Sequence, residues 1–212
     1  MNAPLFIDTL PFHTTQLVQL IQKKRPAFLQ SFYLSGGTGL SLQLGHRKSE
    51  DLDFFNEQSF NPQSLEKELV SLGTLSDTEL AEGTLNTFLG EVKLQFLEYP
   101  YPTIEPFIDW EGIRISSILD IACTKLQTVS RRGSKKDFVD LYFCVDRYPL
   151  SEILHSAQKK YATRDYSQTH ILKSLVYFAD AEEQPMPRMR KPVQWEEVKE
   201  KLVSVVRSIP LT

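Results

Sequence analysis

The sequence predicts an α/β (α+β) fold in which a mixed strand-and-helix front half, residues 1–106, is followed by a helical back half, residues 107–212. Three observations carry this reading. Up to Pro106, short apolar runs are separated by turns. Within EVKLQFL (91–97), Val92, Leu94 and Phe96 alternate with Glu91, Lys93 and Gln95, the period of a half-buried strand. After YPYP (99–102) the apolar residues recur at helical spacing instead.

Taken in chain order, Thr14 to Lys24 reads as a helix and SFYLS (31–35) as a strand. Gly36 and Gly37 make a tight turn, and a short helix is expected from near Thr38 to Gly45. DLDFF (51–55) reads as a strand, and Pro62 to Leu72 as a helix with proline in its first turn. Thr84 to Leu89 and Glu91 to Leu97 form a hairpin that breaks near Gly90. Helices are expected at Ser117–Val129, Ser134–Asp146, Leu150–Lys160, Tyr166–Phe178 and Trp195–Ile209, the last set apart by the Pro-bearing loop EEQPMPRMRKPVQ (182–194). Trp195, Val198, Leu202 and Val206 or Ile209 form a stripe that closes a core or, alternatively, binds a partner protein. A cleft between the two halves is the natural ligand site.

Composition narrows the function classes. An apolar fraction of 41% and a charged fraction of 24% are ordinary for a globular protein. No apolar run approaches a membrane span, and MNAPLFIDTLPF lacks the basic and apolar regions of a secretory signal. Cys123 and Cys144 sit in apolar helical patterns without metal spacing, as reduced core thiols of a cytoplasmic protein. The net charge of -3 leaves any nucleic-acid contact to a local patch. The four histidines have no metal spacing, and GGTGLS lacks the Lys-Ser/Thr of a P-loop.

The chemistry concentrates in GGTGLSLQLGHRKSEDLDFF (36–55). Gly36 and Gly37 allow close backbone approach, and the free N–H groups of the following helix face an anion such as a phosphate chain. On a strand, Ser49, Asp51, Asp53 and Phe55 share one face, while Leu52 and Phe54 enter the core. The two carboxylates then stand about 6.6 Å apart at the backbone and repel each other. A hard cation such as Mg²⁺ between them relieves that repulsion. Arg47 and Lys48 are placed to neutralise phosphate. A plain turn, a solvated acidic strand and a basic loop are the bland alternatives for each feature taken alone.

With these residues in view, the chain resembles the nucleotidyltransferase AbiEii/AbiGii toxin family of the DNA polymerase β-like nucleotidyltransferase superfamily. The matching stretches are Gly36-Gly37-Thr38, HRKSEDLDFF (46–55), GEVKLQFLEYPYP (90–102), DIACTKLQTVSRRGSKKDFVDLYF (120–143) and SLVYFADAEEQPMP (174–187). The resemblance implies a nucleotidyltransferase-like mixed sheet with flanking helices. It implies Mg²⁺-dependent transfer of a nucleotidyl group from an NTP, often in a toxin–antitoxin or phage-defence setting, with an antitoxin as partner. Some relatives modify tRNA acceptor ends. Position by position, Gly36, Gly37 and Thr38 match the phosphate-binding turn, and Asp51 and Asp53, with Ser49 before them, match the metal-binding acids. Lys125 matches the lysine of the helical motif, and Asp137 and Asp140 match the acids of KDFxDLY. The wider superfamily often has a third carboxylate on a neighbouring strand. The best candidate strand here, GEVKLQFLE, offers Gln95 instead.

The back half can be read without the family. Lys125 falls inside the apolar stripe of Ile118, Ile121, Ala122 and Val129, so its ammonium either snorkels out or meets a phosphate or carboxylate in a cleft. Ser134 and Asp137 fit a capping box, which gives Asp137 a structural role. Asp140 has no such role and is the stronger functional candidate of the two. Lys136 is the local candidate for its cationic partner and Lys125 the tertiary candidate. Arg131, Arg132, Lys135 and Lys136, and separately Arg188, Arg190 and Lys191, are either RNA contacts or solvated loops. A different class stays open alongside the enzyme: a nucleotide- or partner-binding module that has lost catalysis, for which the missing strand carboxylate is the motive.

Overall fold

The computed structural model describes residues 4–162 and 167–210. Its centre is a seven-stranded mixed sheet. Helix α1 (Phe12–Lys24) ends where Arg25 turns left-handed before Pro26. Strand β1 (Tyr33–Leu34) feeds directly into α2 (Gly36–Leu44), which stops at the left-handed Gly45. Then come β2 (Leu52–Asn56) and α3 (Pro62–Leu69), with Asn61 capping the Ser64 amide and Pro62 at the first helical position. Strands β3 (Leu75–Ala81), β4 (Thr84–Leu89) and β5 (Val92–Glu98) form an antiparallel meander, and β6 (Ile108–Trp110) and β7 (Ile113–Ile115) a short hairpin. The sheet order is β3-β4-β5-β2-β1-β7-β6, with β2 antiparallel to β1 and parallel to β5.

Helices α4 (Ile118–Arg131), α5 (Lys135–Cys144), α6 (Leu150–Lys160), α7 (Gln168–Ser174), α8 (Ala179–Glu182) and α9 (Trp195–Arg207) follow. The change from strand to helix therefore comes at Ser117, later than the boundary at 106 read from the sequence. The triplets IDW and IRI are too short to show an alternating pattern, yet they complete the sheet beside β1. The expected helix from Tyr166 is shorter, and its first residue lies outside the described ones. Strand β3 went unrecognised because its SDTELA run is mostly exposed and carries a bulge.

One apolar cluster fills the space under the sheet, with Leu52, Phe54, Leu94 and Phe96 at its middle. The other is built from α4 to α9 and reaches into the front half through Leu40 and Leu44 of α2. Cys123 and Cys144 are buried free thiols of this second core, and burial pushes the Cys123 thiol up to about 12, so it is inert. No helix among the described residues is long and apolar enough to cross a membrane.

The alternation of β2 positions the site. Phe54 stacks on Phe96 at 5.1 Å below the sheet, which forces Asp51, Asp53 and Phe55 onto the upper face, toward the helices. Phe96 also meets Phe32 at 5.1 Å edge-on. Phe96→Ala should cost about 3–5 kcal/mol, the range for a large aromatic removed from a core. Urea unfolding would show it as a lower midpoint at an unchanged slope.

Candidate active site

The floor of the cleft is the upper face of β2 and β5, and its far wall is α4 and α5. It encloses about 440 Å³. The entry turn is shaped by what surrounds it. Ser35 donates its N–H to the Asp53 carbonyl at 2.9 Å, so the chain leaves β1 pressed against β2. Gly36 has φ +62°, and a Cβ there would lie 2.2 Å from Asp53 Oδ2. A Cβ on Gly37 would lie 2.4 Å from Arg47 Nη2 and 3.3 Å from Ser49 Oγ. Only glycine lets the carboxylate, the guanidinium and the backbone share this space. The helix starts at Gly36, two residues earlier than expected, which brings its first free N–H groups into the cleft.

Thr38 does not reach the cleft. Its side chain is fully buried, and its hydroxyl is engaged by the Asp51 carbonyl and by Ser49 Oγ. It is corrected from a phosphate ligand to a residue that ties the turn to the segment carrying Asp51.

Asp51 and Asp53 both line the cleft and stand on one face of the strand. Burial, then the Asp51 charge, raises the Asp53 carboxyl above its ordinary range; Lys125, Lys136 and Lys93 offset this only in part. Asp53 is thus buried beside a like charge that the nearby lysines do not fully offset. The donor set is two hard oxygen anions beside a phosphate-sized space, which suits Mg²⁺, an ion usually held by one or two carboxylates plus substrate phosphates. Among the described residues no cluster of three or more His, Cys, Asp or Glu side chains could hold a metal. The neighbour of Asp53 on β5 is Gln95, whose Nε2 donates to Asn86 Oδ1 at 2.8 Å. An amide therefore occupies the position of the third carboxylate.

The far wall is a buried charge network. Lys125 Nζ lies 2.7 Å from Asp137 Oδ1 and 2.6 Å from Asp140 Oδ2. Asp140 Oδ1 accepts from His46 Nε2 at 2.8 Å and Arg47 Nε at 2.6 Å, and Oδ2 also accepts from Arg47 Nη2 at 2.9 Å. Four donors fill the four lone-pair positions of a carboxylate. Burial alone would raise the Asp140 carboxyl, but Arg47 and Lys125 hold it well below the ordinary range. Burial depresses His46, with Arg47 and Lys125 adding to it against the pull of Asp140. It is neutral and donates through Nε2. Burial would lower Lys125, yet Asp140 and Asp137 keep it raised and charged.

This network reverses the ranking of the two acids. Asp140 is fully buried behind the wall and has no lone pair left for substrate. Asp137 lines the cleft, where its Oδ2 also receives the Ser134 hydroxyl. The expected capping box at Ser134 is not formed, because its hydroxyl bonds the carboxylate and makes no bond to a backbone amide. Arg47 also lines the cleft. Its Nε and Nη2 are bound by Asp140 and its Nη1 by the Lys48 carbonyl, so its guanidinium is anchored against the glycine turn. Lys136, expected beside Asp140, is exposed on the cleft wall, and Lys135 is buried against Trp195 and the Glu182 carbonyl. Arg188 and Arg190 pair with Glu50 and Asp8, binding the Pro-rich loop to the front half. Sequence reasoning missed His46. Its only signal was its place beside Arg47.

Asp140→Asn leaves two buried cations with half their counter-charge. It should destabilise the fold by about 3–5 kcal/mol in denaturant unfolding at pH 7. Because the folded-state carboxyl is depressed, the stability it contributes is complete above about pH 4 and is lost as pH falls toward its folded value. The gap between the variant and wild type should therefore shrink on acidification.

Known proteins place the chain. Residues 19–208 match the family described as nucleotidyl transferase AbiEii toxin, type IV TA system. An uncharacterised protein of Aquifex aeolicus (strain VF5) is 40% identical over 175 residues, covering 80% of this chain and 83% of that one. Among solved structures, MenT4, a nucleotidyltransferase toxin of Mycobacterium tuberculosis, superposes with a TM-score of 0.52 at 14% identity, over 94% of this chain and 87% of its own. JHP933 of Helicobacter pylori does so at 0.52 and 19% identity, over 92% and 90%. The antibiotic-resistance factor ANT(2″)-Ia reaches 0.50 at 14% identity, over 71% of this chain and 95% of its own. The fold is shared with all three, and the family match spans most of the sequence. This chain belongs to the AbiEii nucleotidyltransferase toxin family.

Proposed function

We propose that the cleft moves an NMP group from an NTP to an acceptor hydroxyl with Mg²⁺ bound at Asp51 and Asp53, and that the protein acts as the toxin of a toxin–antitoxin pair in the cytoplasm. The observation that carries this reading is the meeting of the glycine turn with Asp53. An open anion-binding backbone and an under-neutralised acid pair occupy one space. The triphosphate lies along Gly36 and Gly37, near Ser49. Asp51 and Asp53 would hold Mg²⁺, which would supply the counter-charge a phosphate chain needs beside two carboxylates. Lys125, held charged by Asp137 and Asp140, faces the same space and attracts the phosphate oxygens. Thr38, Arg47 and Asp140 act through other residues: Thr38 on the strand segment, Arg47 on the turn, Asp140 on Lys125.

The acceptor oxygen bonds to the α-phosphorus. The bond from that phosphorus to the bridging oxygen breaks, pyrophosphate leaves with the electron pair, and the hydroxyl proton passes to solvent. An RNA end, such as that of tRNA, is the acceptor this reading favours, since Lys93, Arg132 and Lys136 ring the cleft. A cognate antitoxin is the expected partner, in a setting of phage defence. Gln95 in place of a carboxylate favours the second reading, a module that binds nucleotide or partner without turnover.

Purified protein with Mg²⁺, total cellular RNA and each α-labelled NTP in turn separates the two. Wild type should label RNA with a preferred NTP. Asp51→Asn should fall below about one per cent of that rate, the scale on which loss of a charge-stabilising group acts, with its thermal unfolding intact. Equal labelling by the variant removes Asp51 from the site.

A further inference from the structure

A separate cavity lies at the end of the sheet where β1 begins and β2 ends, and it shares no lining residue with the cleft. It encloses about 330 Å³, inside the span of about 300–1,000 Å³ for small-molecule sites. Tyr33 of β1, Asn56 at the end of β2 and Glu57 just after it are among its walls. Arg114 of β7 joins them, set beside Tyr33 because Leu34 pairs with Ile115 in parallel register. Phe107 fixes the arrangement. Its ring centroid is 4.9 Å from that of Tyr33 and 4.8 Å from Arg114 Cζ. Arg114 Nη2 is also anchored, donating to the Gln30 carbonyl at 2.6 Å and to the Phe32 carbonyl at 3.2 Å.

Buried polar groups are as a rule hydrogen-bonded. Three on these walls are not. Tyr33 is 3% exposed, and its hydroxyl has no partner among the described residues. Burial raises its phenol above the ordinary range, so the hydroxyl is protonated and can donate. Asn56 is 6% exposed. Its Oδ1 accepts the Gln58 N–H at 3.0 Å, which orients the amide and leaves Nδ2 as a donor without a partner among the described residues. Arg114 keeps a buried Nε with no acceptor. The arginine ion pairs among the described residues are those of Arg47, Arg188 and Arg190, so Arg114 has none, although Asp109 stands opposite it on β6.

One guanidinium with two neutral donors suits a carboxylate. Glu57 brings the opposite charge to the same cavity. Its side chain is exposed, accepts the Thr103 N–H at 3.2 Å through Oε1, and forms no ion pair among the described residues. A phosphate dianion would exceed the charge of Arg114 and meet that of Glu57. A ligand with one carboxylate and one amine matches both. Tyr33 packs on Phe55 with ring centroids 5.9 Å apart, and Phe55 lines the cleft, so the cavity lies one aromatic layer from the cleft floor.

We propose that this cavity binds a small zwitterion of amino-acid size, with its carboxylate at Arg114, Tyr33 and Asn56 and its ammonium at Glu57.

The test titrates the twenty L-amino acids, one at a time, into the full chain and reads the thermal midpoint, with inorganic phosphate as the anion-only probe. A ligand that binds the folded state alone raises the midpoint. At least one amino acid should give a saturable rise that phosphate does not match. Arg114→Gln should abolish it. Because Arg114 also holds two carbonyls, Glu57→Gln is the companion variant: it keeps an acceptor for Thr103 and removes an exposed charge. It should weaken the amino acid about tenfold, the size of one lost charge-assisted contact, with the ligand-free midpoint unchanged. No rise with any amino acid overturns the proposal. An amino-acid affinity unchanged in Glu57→Gln does so too, because the ammonium is then not read in this cavity. A phosphate response that exceeds the amino-acid one and grows in Glu57→Gln makes the cavity an anion site and overturns the zwitterion.

Discussion

The buried carboxylate of Asp140 holds the two halves of this protein in one working arrangement. It stands on α5, yet its partners His46 and Arg47 come from the segment between α2 and β2, and Lys125 comes from α4. The joint is close to charge-neutral, with Arg47 and Lys125 set against Asp137 and Asp140 and His46 uncharged. A carboxylate with all its lone pairs occupied is a fixture, and it aims rather than reacts. Through Arg47 it braces the glycine turn, and through Lys125 it sets a permanent cation over the cleft. A residue outside the cleft can therefore decide whether the cleft functions.

The opposite condition holds at Asp53. Its carboxyl is buried beside Asp51, pressed against Gly36, and under-neutralised by the protein itself. One acid is saturated and the other is left wanting charge, and the charge of Lys125 acts on both. That contrast fits a scaffold whose stability is built at Asp140 and whose binding energy is kept in reserve at Asp53. Gln95, held by Asn86, stands in register with Asp53 and sets an amide beside it on the sheet.

Much of this was legible in the sequence because it rests on short-range periodicity. The two-residue alternation of DLDFF placed both acids on one face and Phe54 in the core, and the structure has them there. Lys125 betrayed itself by interrupting an apolar stripe, which predicts a buried ammonium in need of a partner. What failed depends on distance in the chain. Nothing local to HRKS indicates that Arg47 is held by a carboxylate 93 residues away, so it read as a free phosphate clamp. Ser134 and Asp137 have capping-box spacing, but the nearby Lys125 draws Asp137 away from the backbone. Strands β6 and β7 are three residues each, below the length at which alternation carries information.

We propose the glycine turn, the acid pair and Lys125 as a single path for phosphate chemistry, and the central claim is that the α-phosphoryl group travels along it. The most direct measurement offers wild-type protein the same NTP labelled separately at the α and γ positions, with cellular RNA and Mg²⁺, and follows label into macromolecules. The account predicts transfer of α label with release of γ label as pyrophosphate. Retention of γ label on an acceptor would make the protein a kinase and contradict the account. Transfer of neither label, with the nucleotide still bound, would contradict it in favour of a binding module.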